Sequence, residues 1–203
     1  MSEIVIRRER PEDYAYVENM TGEAFWNVYR PGCSEHYLLH TYRDDPDFIP
    51  ELDLVMELDG QIIGHVMYVR SQIKADDGRV IPIVTFGPIS IAPEWQKKGY
   101  GKRLVEQSMQ RAAQWGAGAV AITGSNVFYG KCGFVIAHTR GIRYENDPTA
   151  SYFLIAELKP GFLDGITGTF RDPDGYDIDE DKALEYDAAF PPKVRLKLPG
   201  QLE

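Results

Sequence analysis

Ile89-Ser90-Ile91-Ala92-Pro93-Glu94-Trp95-Gln96-Lys97-Lys98-Gly99-Tyr100-Gly101 is the stretch on which the fold turns. An apolar strand end stops at a proline, a loop with two glycines follows, and the periodicity then changes. Leu104, Val105, Met109, Ala112 and Ala113 recur at three- and four-residue spacing, predicting a helix over 102–115 that stops at Gly116. Gly99 and Gly101 leave backbone N–H groups uncovered before the positive end of that helix, which suits a pyrophosphate. Lys97, Lys98, Lys102 and Arg103 place four cations within seven residues of a chain whose net charge is −9. A phosphate-rich ligand explains both features; a glycine turn on a solvated basic helix start is the plainer alternative. GxxxxGK[ST] is absent, and Leu104 stands where the third glycine of a dinucleotide fingerprint would be.

The strand before the loop, Ile81 to Ile91, is interrupted by Gly87-Pro88. Pro88 has no N–H to give a ladder and Gly87 favours a bulge, so pairing is expected to fail here. Free N–H and C=O groups are then expected on Ile89, Ser90 and Ile91. An extended amide, such as the pantetheine arm of coenzyme A, would pair with them as an added strand. Free backbone followed directly by a pyrophosphate loop matches the order of parts in coenzyme A.

Further upstream, Ile4 to Arg8 reads as a strand, and Pro11-Glu12-Asp13 opens a helix running to about Trp26. Ser34 is placed to cap a second short helix ending before Pro46. Leu52, Leu54, Met56 and Leu58 alternate with polar or smaller residues, Asp59-Gly60 turns the chain, and Gln61 to Arg70 returns. Asp76-Asp77-Gly78 marks another turn. Downstream, Ala117–Thr123, Phe134–Ala137 and Tyr152–Leu158 read as strands, and the alternation of Val194 to Leu198 suggests a last one. Strands first, then strand–helix–strand, imply an α/β fold built on a mixed sheet with helices on both faces.

The 203 residues, 43% of them apolar, allow one domain with a sizeable core. No apolar run approaches the ~20 residues of a membrane helix, and the first residues lack a secretion signal, so a cytoplasmic protein is expected. Cys33 and Cys132 have no pair spacing, which reads as two free thiols. An acidic chain is not expected to bind nucleic acid. Much of the acidity is local: between 171 and 187, eight acids face Arg171 and Lys182. The calcium-loop register fails there, because Gly175 follows Asp172 by three residues rather than five, so a solvated insertion is expected.

The quoted stretch resembles the acetyl-CoA motif of the GNAT superfamily of N-acetyltransferases, [QR]xxGxG preceded by an apolar strand ending at a proline. Tyr129-Gly130-Lys131-Cys132-Gly133-Phe134 is similar to the family's tyrosine placed before a Gly-Phe pair. The resemblance covers roughly residues 4–158. It implies a GNAT-like acyl-CoA N-acyltransferase fold, splayed between the strands Ile81–Ile91 and Ala117–Thr123, with 1–158 as the catalytic domain. Residues 159–203 would then be a C-terminal extension packing on the same domain. The short loop and the Pro160-Gly161 to Gly168 run look like a bacterial subgroup without a single known acceptor.

The resemblance implies acetyl-CoA as co-substrate and a small-molecule or peptide amine as acceptor, with homodimer formation open. Ile89, Ser90, Ile91, Gln96, Lys97, Lys98, Gly99, Tyr100, Gly101 and Lys102 would hold the cofactor. Asn126 would bond its arm, although a loop-capping asparagine fits as well. Tyr129 would be the general acid at the thioester sulfur; a core aromatic beside Phe128 and Phe134 is the bland alternative. Residues 81–91 hold no acid, where many family members carry a base. Glu23, Glu57 and His65 are substitutes, each more often a surface or partner-satisfied residue. His36 and His40 have i, i+4 metal spacing, but no HExxH and no third ligand accompany them, so no metal is expected. Direct acetyl transfer is the leading expectation; a coenzyme A-binding module without turnover is the alternative.

Overall fold

The computed structural model describes residues 3–201. In chain order its main elements are β1 (Ile4–Arg8), α1 (Tyr14–Phe25), α2 (Glu35–Tyr42), β2 (Leu54–Leu58), β3 (Gln61–Ala75) and β4 (Val80–Ile91). They continue with α3 (Tyr100–Trp115), β5 (Ala119–Thr123), α4 (Asn126–Tyr129), β6 (Val135–Ile136) and β7 (Ile142–Tyr144). β8 (Phe153–Glu157), β9 (Gly168–Phe170) and α5 (Glu180–Tyr186) complete the chain. The nine strands form one mixed, open sheet ordered β1-β2-β3-β4-β5-β8-β6, with β9 on the far end of β3 and β7 beside it. β1 to β4 are antiparallel, and β5 joins β4 in parallel. No helix among the described residues is long and apolar enough to cross a membrane.

Side-chain alternation along β3 divides the core. Val66 and Tyr68 pack with Leu104, Val105 and Ala112 of α3. Met67 and Val69 pack on the other face with Val17 of α1 and Leu39 and Tyr42 of α2. Leu104 and Val105 are fully buried, and each such side chain contributes about 1.5–3 kcal/mol. They lie in the first turns of α3, so the core fixes the helix start and the loop before it.

α3 begins at Tyr100, two residues before the expected start, which places Gly101 in the first helical turn. Ser34 occupies the cap position of α2 without a side-chain bond; the Glu35 carboxylate accepts the Ser34 N–H at 3.0 Å instead. The expected strand at 194–198 does not form. There the Val194 carbonyl accepts from Trp26 Nε1 and Asn27 Nδ2, each at 3.0 Å, and Leu196 N–H donates to Asn27 Oδ1 at 2.9 Å. Side chains of the α1–α2 loop thus take the place of a partner strand.

The acidic stretch is not simply solvated. Asp179 caps α5 by accepting from Asp181 and Lys182 N–H at 3.1 and 3.2 Å. Asp172 accepts from the Tyr144 hydroxyl, and Asp187 pairs with His36 at 2.8 Å. β7, β9 and α5, none of them expected, carry this docking.

Candidate active site

β4 and β5 pair only at Val84↔Val120 and Thr85↔Ala121, where Thr85 Oγ1 donates to the Ala121 carbonyl at 2.8 Å. Beyond that the strands part. On the β3 side, Tyr68 faces Phe86 and Val66 faces Ile89, so Gly87 and Pro88 together oppose Met67 in a bulge. The Ala92 N–H donates to the Ile63 carbonyl at 2.9 Å, which sets the phase of the ladder. Alternation then turns the N–H and C=O of Ile89 and Ile91 away from β3, into the gap. Ser90 differs from the expectation: its backbone faces β3, and its buried hydroxyl shares a hydrogen bond with Thr21 Oγ1 at 2.9 Å.

Gln96 reaches back from the loop, its Nε2 donating to the Ile91 carbonyl at 3.0 Å. Lys97 and Gly99 take the left-handed region, at φ 59° and 90°, and Gly99 immediately precedes α3. The amino end of this sixteen-residue helix presents its free N–H groups beside that loop. Gln96, Lys97, Lys98 and Gly99 are exposed, and Tyr100 and Gly101 are half-buried. The Lys98 ammonium lies 4.6 Å from the centroid of the Trp95 ring, and Lys102 pairs with Glu106 at the surface.

On the opposite side of the gap, the turn after β5 carries Tyr129 at the end of α4. Its ring packs against Phe128, Phe134 and Phe86 at centroid distances of 4.9, 5.6 and 5.8 Å. Burial pushes the phenol well above its ordinary range, with smaller pushes from Tyr29 and Cys132, so Tyr129 stays protonated through neutral pH. Asn126 is exposed, and its backbone carbonyl accepts the Gly130 N–H. Phe128 leans over the helix start: a Cβ on Gly101 would lie 3.5 Å from its ring tip and 3.8 Å from Ile91 Cγ1. One contact therefore joins the strand end, the helix start and the tyrosine turn. In sequence Phe128 stands out only as an aromatic beside Tyr129, although two consecutive apolar residues in a turn, Val127 and Phe128, are a visible signal.

The substitute bases are each engaged. Glu23 pairs with Lys193 at 2.7 Å and Glu57 with Arg7 at 2.7 Å. His65 is fully buried, its Nε2 lies 2.7 Å from Asp53 Oδ1, and burial pushes it down to about 4. Glu9 joins this cluster, lifted to about 8 by burial, while both its oxygens take the Arg43 guanidinium at 3.0 Å. Glu9, Asp53 and His65 gather their ligand atoms within 4.8 Å, with Arg43 as the cation already beside them. His36 and His40 are committed to Asp187 at 2.8 Å and Glu18 at 3.1 Å.

Comparison with known proteins bears on the family and the fold. The sequence profile of the acetyltransferase (GNAT) family matches residues 22–134. The Escherichia coli N-acetyltransferase YhbS is 24% identical over 165 residues, which cover 81% of this chain and 93% of that protein. The crystal structure of E. coli YhbS in complex with CoA superposes with a TM-score of 0.76 at 24% identity, covering 88% and 94% of the two chains. A GNAT acetyltransferase from Brucella melitensis, solved in complex with acetyl-CoA, gives 0.67 at 25% identity and covers 86% and 99%.

Proposed function

The chain belongs to the GNAT family of acetyltransferases, and from that membership we propose that it moves an acetyl group from acetyl-CoA to a primary amine. The acceptor is a small molecule or a peptide, and it attacks directly in a ternary complex. The observation that carries this reading is the join of the gap beside Ile89 and Ile91 to the amino end of α3. An extended thioester arm pairs with backbone in the gap, while the diphosphate meets helix N–H groups and the loop lysines Lys97, Lys98 and Lys102.

In the chemical step the amine nitrogen attacks the thioester carbonyl carbon. The C–N bond forms, the C–S bond breaks, and the electron pair leaves on sulfur. An outward N–H of β4 stabilises the carbonyl oxygen as charge gathers there. Tyr129 then gives its proton to the leaving thiolate, the role of a general acid. Burial holds the phenol protonated at neutral pH but also makes it a weaker acid than a free tyrosine, so it hydrogen-bonds the sulfur and yields its proton only as the C–S bond breaks. The proton lost by the amine passes to solvent, since β4 supplies no carboxylate to take it, and Tyr129 regains its own proton from solvent.

The test is release of free thiol from acetyl-CoA across a panel of amines, polyamines, amino acids and peptides. Turnover with at least one primary amine, with the product carrying the acetyl group on nitrogen, is expected. Tight acetyl-CoA binding with no turnover across the panel would contradict catalysis.

A further inference from the structure

Tyr176 lies in the C-terminal extension, in a short turn (Asp174–Tyr176) nearly ninety residues from the strand it touches. Its hydroxyl donates to the Gly87 carbonyl at 3.0 Å. Gly87 is half of the bulge that separates the paired part of β4 from the part facing the gap, and its φ of 149° favours glycine. The turn is firmly seated: a Cβ on Gly175 would come within 2.7 Å of Tyr42 Cζ and 2.8 Å of Asp45 Oδ2. The Tyr176 ring meets the Tyr42 ring edge-on, at 5.2 Å between centroids.

Two hydrogen bonds therefore bracket the point where the sheet opens. Thr85 Oγ1 ties β4 to β5 on one side of Phe86, and Tyr176 holds Gly87 on the other. Gly87 sits where the ladder to β3 is interrupted, and the peptide planes of Ile89 and Ile91 follow directly from it. We propose that Tyr176 is a positioning residue of the acetyl-transfer site, fixing through Gly87 the backbone donors that pair with the thioester arm. On this basis the acidic extension is a working part of the site. The inference rests on the acetyl-CoA reading given above.

The geometry separates two parts of the ligand. Tyr176 acts on the strand that takes the arm, whereas the nucleotide end meets the loop at Lys97 to Lys102. Calorimetry with acetyl-CoA and with adenosine 3′,5′-bisphosphate, which lacks the arm, distinguishes them. Tyr176→Phe keeps the ring on Tyr42 and removes the hydrogen bond. It should weaken acetyl-CoA binding about two- to fivefold, because the ordering of the bulge that this bond provides in advance must then be supplied on binding, and leave the bisphosphate unchanged. Tyr42→Phe is the packing control. Its hydroxyl is buried without a partner, so both affinities should match the parent. Unfolding midpoints of the variants check that the fold survives. Unchanged acetyl-CoA affinity in Tyr176→Phe, or equal weakening of both ligands, would overturn the proposal. Failure of the parent protein to bind acetyl-CoA would sink the underlying functional reading instead.

Discussion

Gly64 and Ile91 face each other across β3 and β4, so closely that a Cβ on Gly64 would lie 2.6 Å from Ile91 Cδ1. The same Cβ would meet the Ser90 carbonyl at 3.2 Å and Leu104 Cδ2 at 3.3 Å. The missing side chain lets the last residue of β4 and the first turns of α3 pack against β3 together. Gly64→Ala overpacks this junction. A loss of about 1–3 kcal/mol is expected, read as a fall of the thermal midpoint by roughly 2–4 °C per kcal/mol for a chain of this size. An unchanged midpoint would mean that the junction yields freely.

Tyr129→Phe keeps the ring among Phe86, Phe128 and Phe134 and removes the proton. Turnover with the acceptor should fall about 10²-fold, at the lower end for general acid catalysis. Acetyl-CoA affinity should stay within about fivefold, because one neutral hydrogen bond contributes ~1 kcal/mol. Steady-state kinetics and calorimetry on the same preparation separate the two. Parent-like turnover would reduce Tyr129 to a packing residue.

No acetyl-cysteine should form. Burial raises both thiols, Cys33 to about 12 and Cys132 by a smaller amount, so neither is a ready thiolate at neutral pH. Cys132, three residues from Tyr129, is the nearer in sequence to the proposed acid. Cys132→Ala should retain most activity, and intact-mass analysis after incubation with acetyl-CoA should find no added 42 Da, about the mass of one acetyl group, on the enzyme. A stoichiometric acetyl-thioenzyme would contradict direct transfer.

Glu9 gives a pH signature. Folded Glu9 holds its proton up to about pH 8, against 4.5 in the unfolded chain. Between those values the folded state carries the extra proton, so this group's contribution declines as pH rises. Gln at this position has no proton to lose. The midpoint of Glu9→Gln minus that of the parent should therefore shift in favour of the variant from pH 5 to pH 8. His65 runs the other way: its share is present above 6.5 and lost as pH falls towards about 4. Losing the Glu9 charge only lowers His65 further, so folded His65 is neutral above pH 5 in both proteins and largely drops out of the difference over pH 5 to 8. A difference independent of pH would show that Arg43 keeps Glu9 ionised.

Strands β1 to β6 and β8 and the loop with two glycines were legible because local rules decide them. Pro88 removes a ladder donor, Asp59-Gly60 turns a hairpin, and Leu104 to Ala112 repeat at helical spacing. What escaped depends on contacts far apart in sequence. Nothing in Asp174-Gly175-Tyr176 announces that its phenol will reach Gly87, and Val194 to Leu198 alternates like a strand yet finds Asn27 rather than a sheet edge. The outward orientation of Ile89 and Ile91, with Ser90 turned to β3, was likewise hidden. It follows from the phase that Ala92 sets against Ile63. The Glu9–Asp53–His65 cluster joins three segments whose acids and histidine look ordinary one at a time.

Calorimetric titration of acetyl-CoA into the parent, Gly101→Ala and Gly101→Glu tests the central claim most directly. A Cβ at position 101 meets only ordinary contacts, Phe128 at 3.5 Å and Ile91 at 3.8 Å, so both variants should fold. Alanine should bind nearly as the parent does. Glutamate sets a carboxylate at the helix start where the diphosphate is to lie, and affinity should fall by more than about tenfold, or 1.4 kcal/mol. Parent-like binding by Gly101→Glu would contradict the placement of acetyl-CoA at this loop and the functional reading built on it.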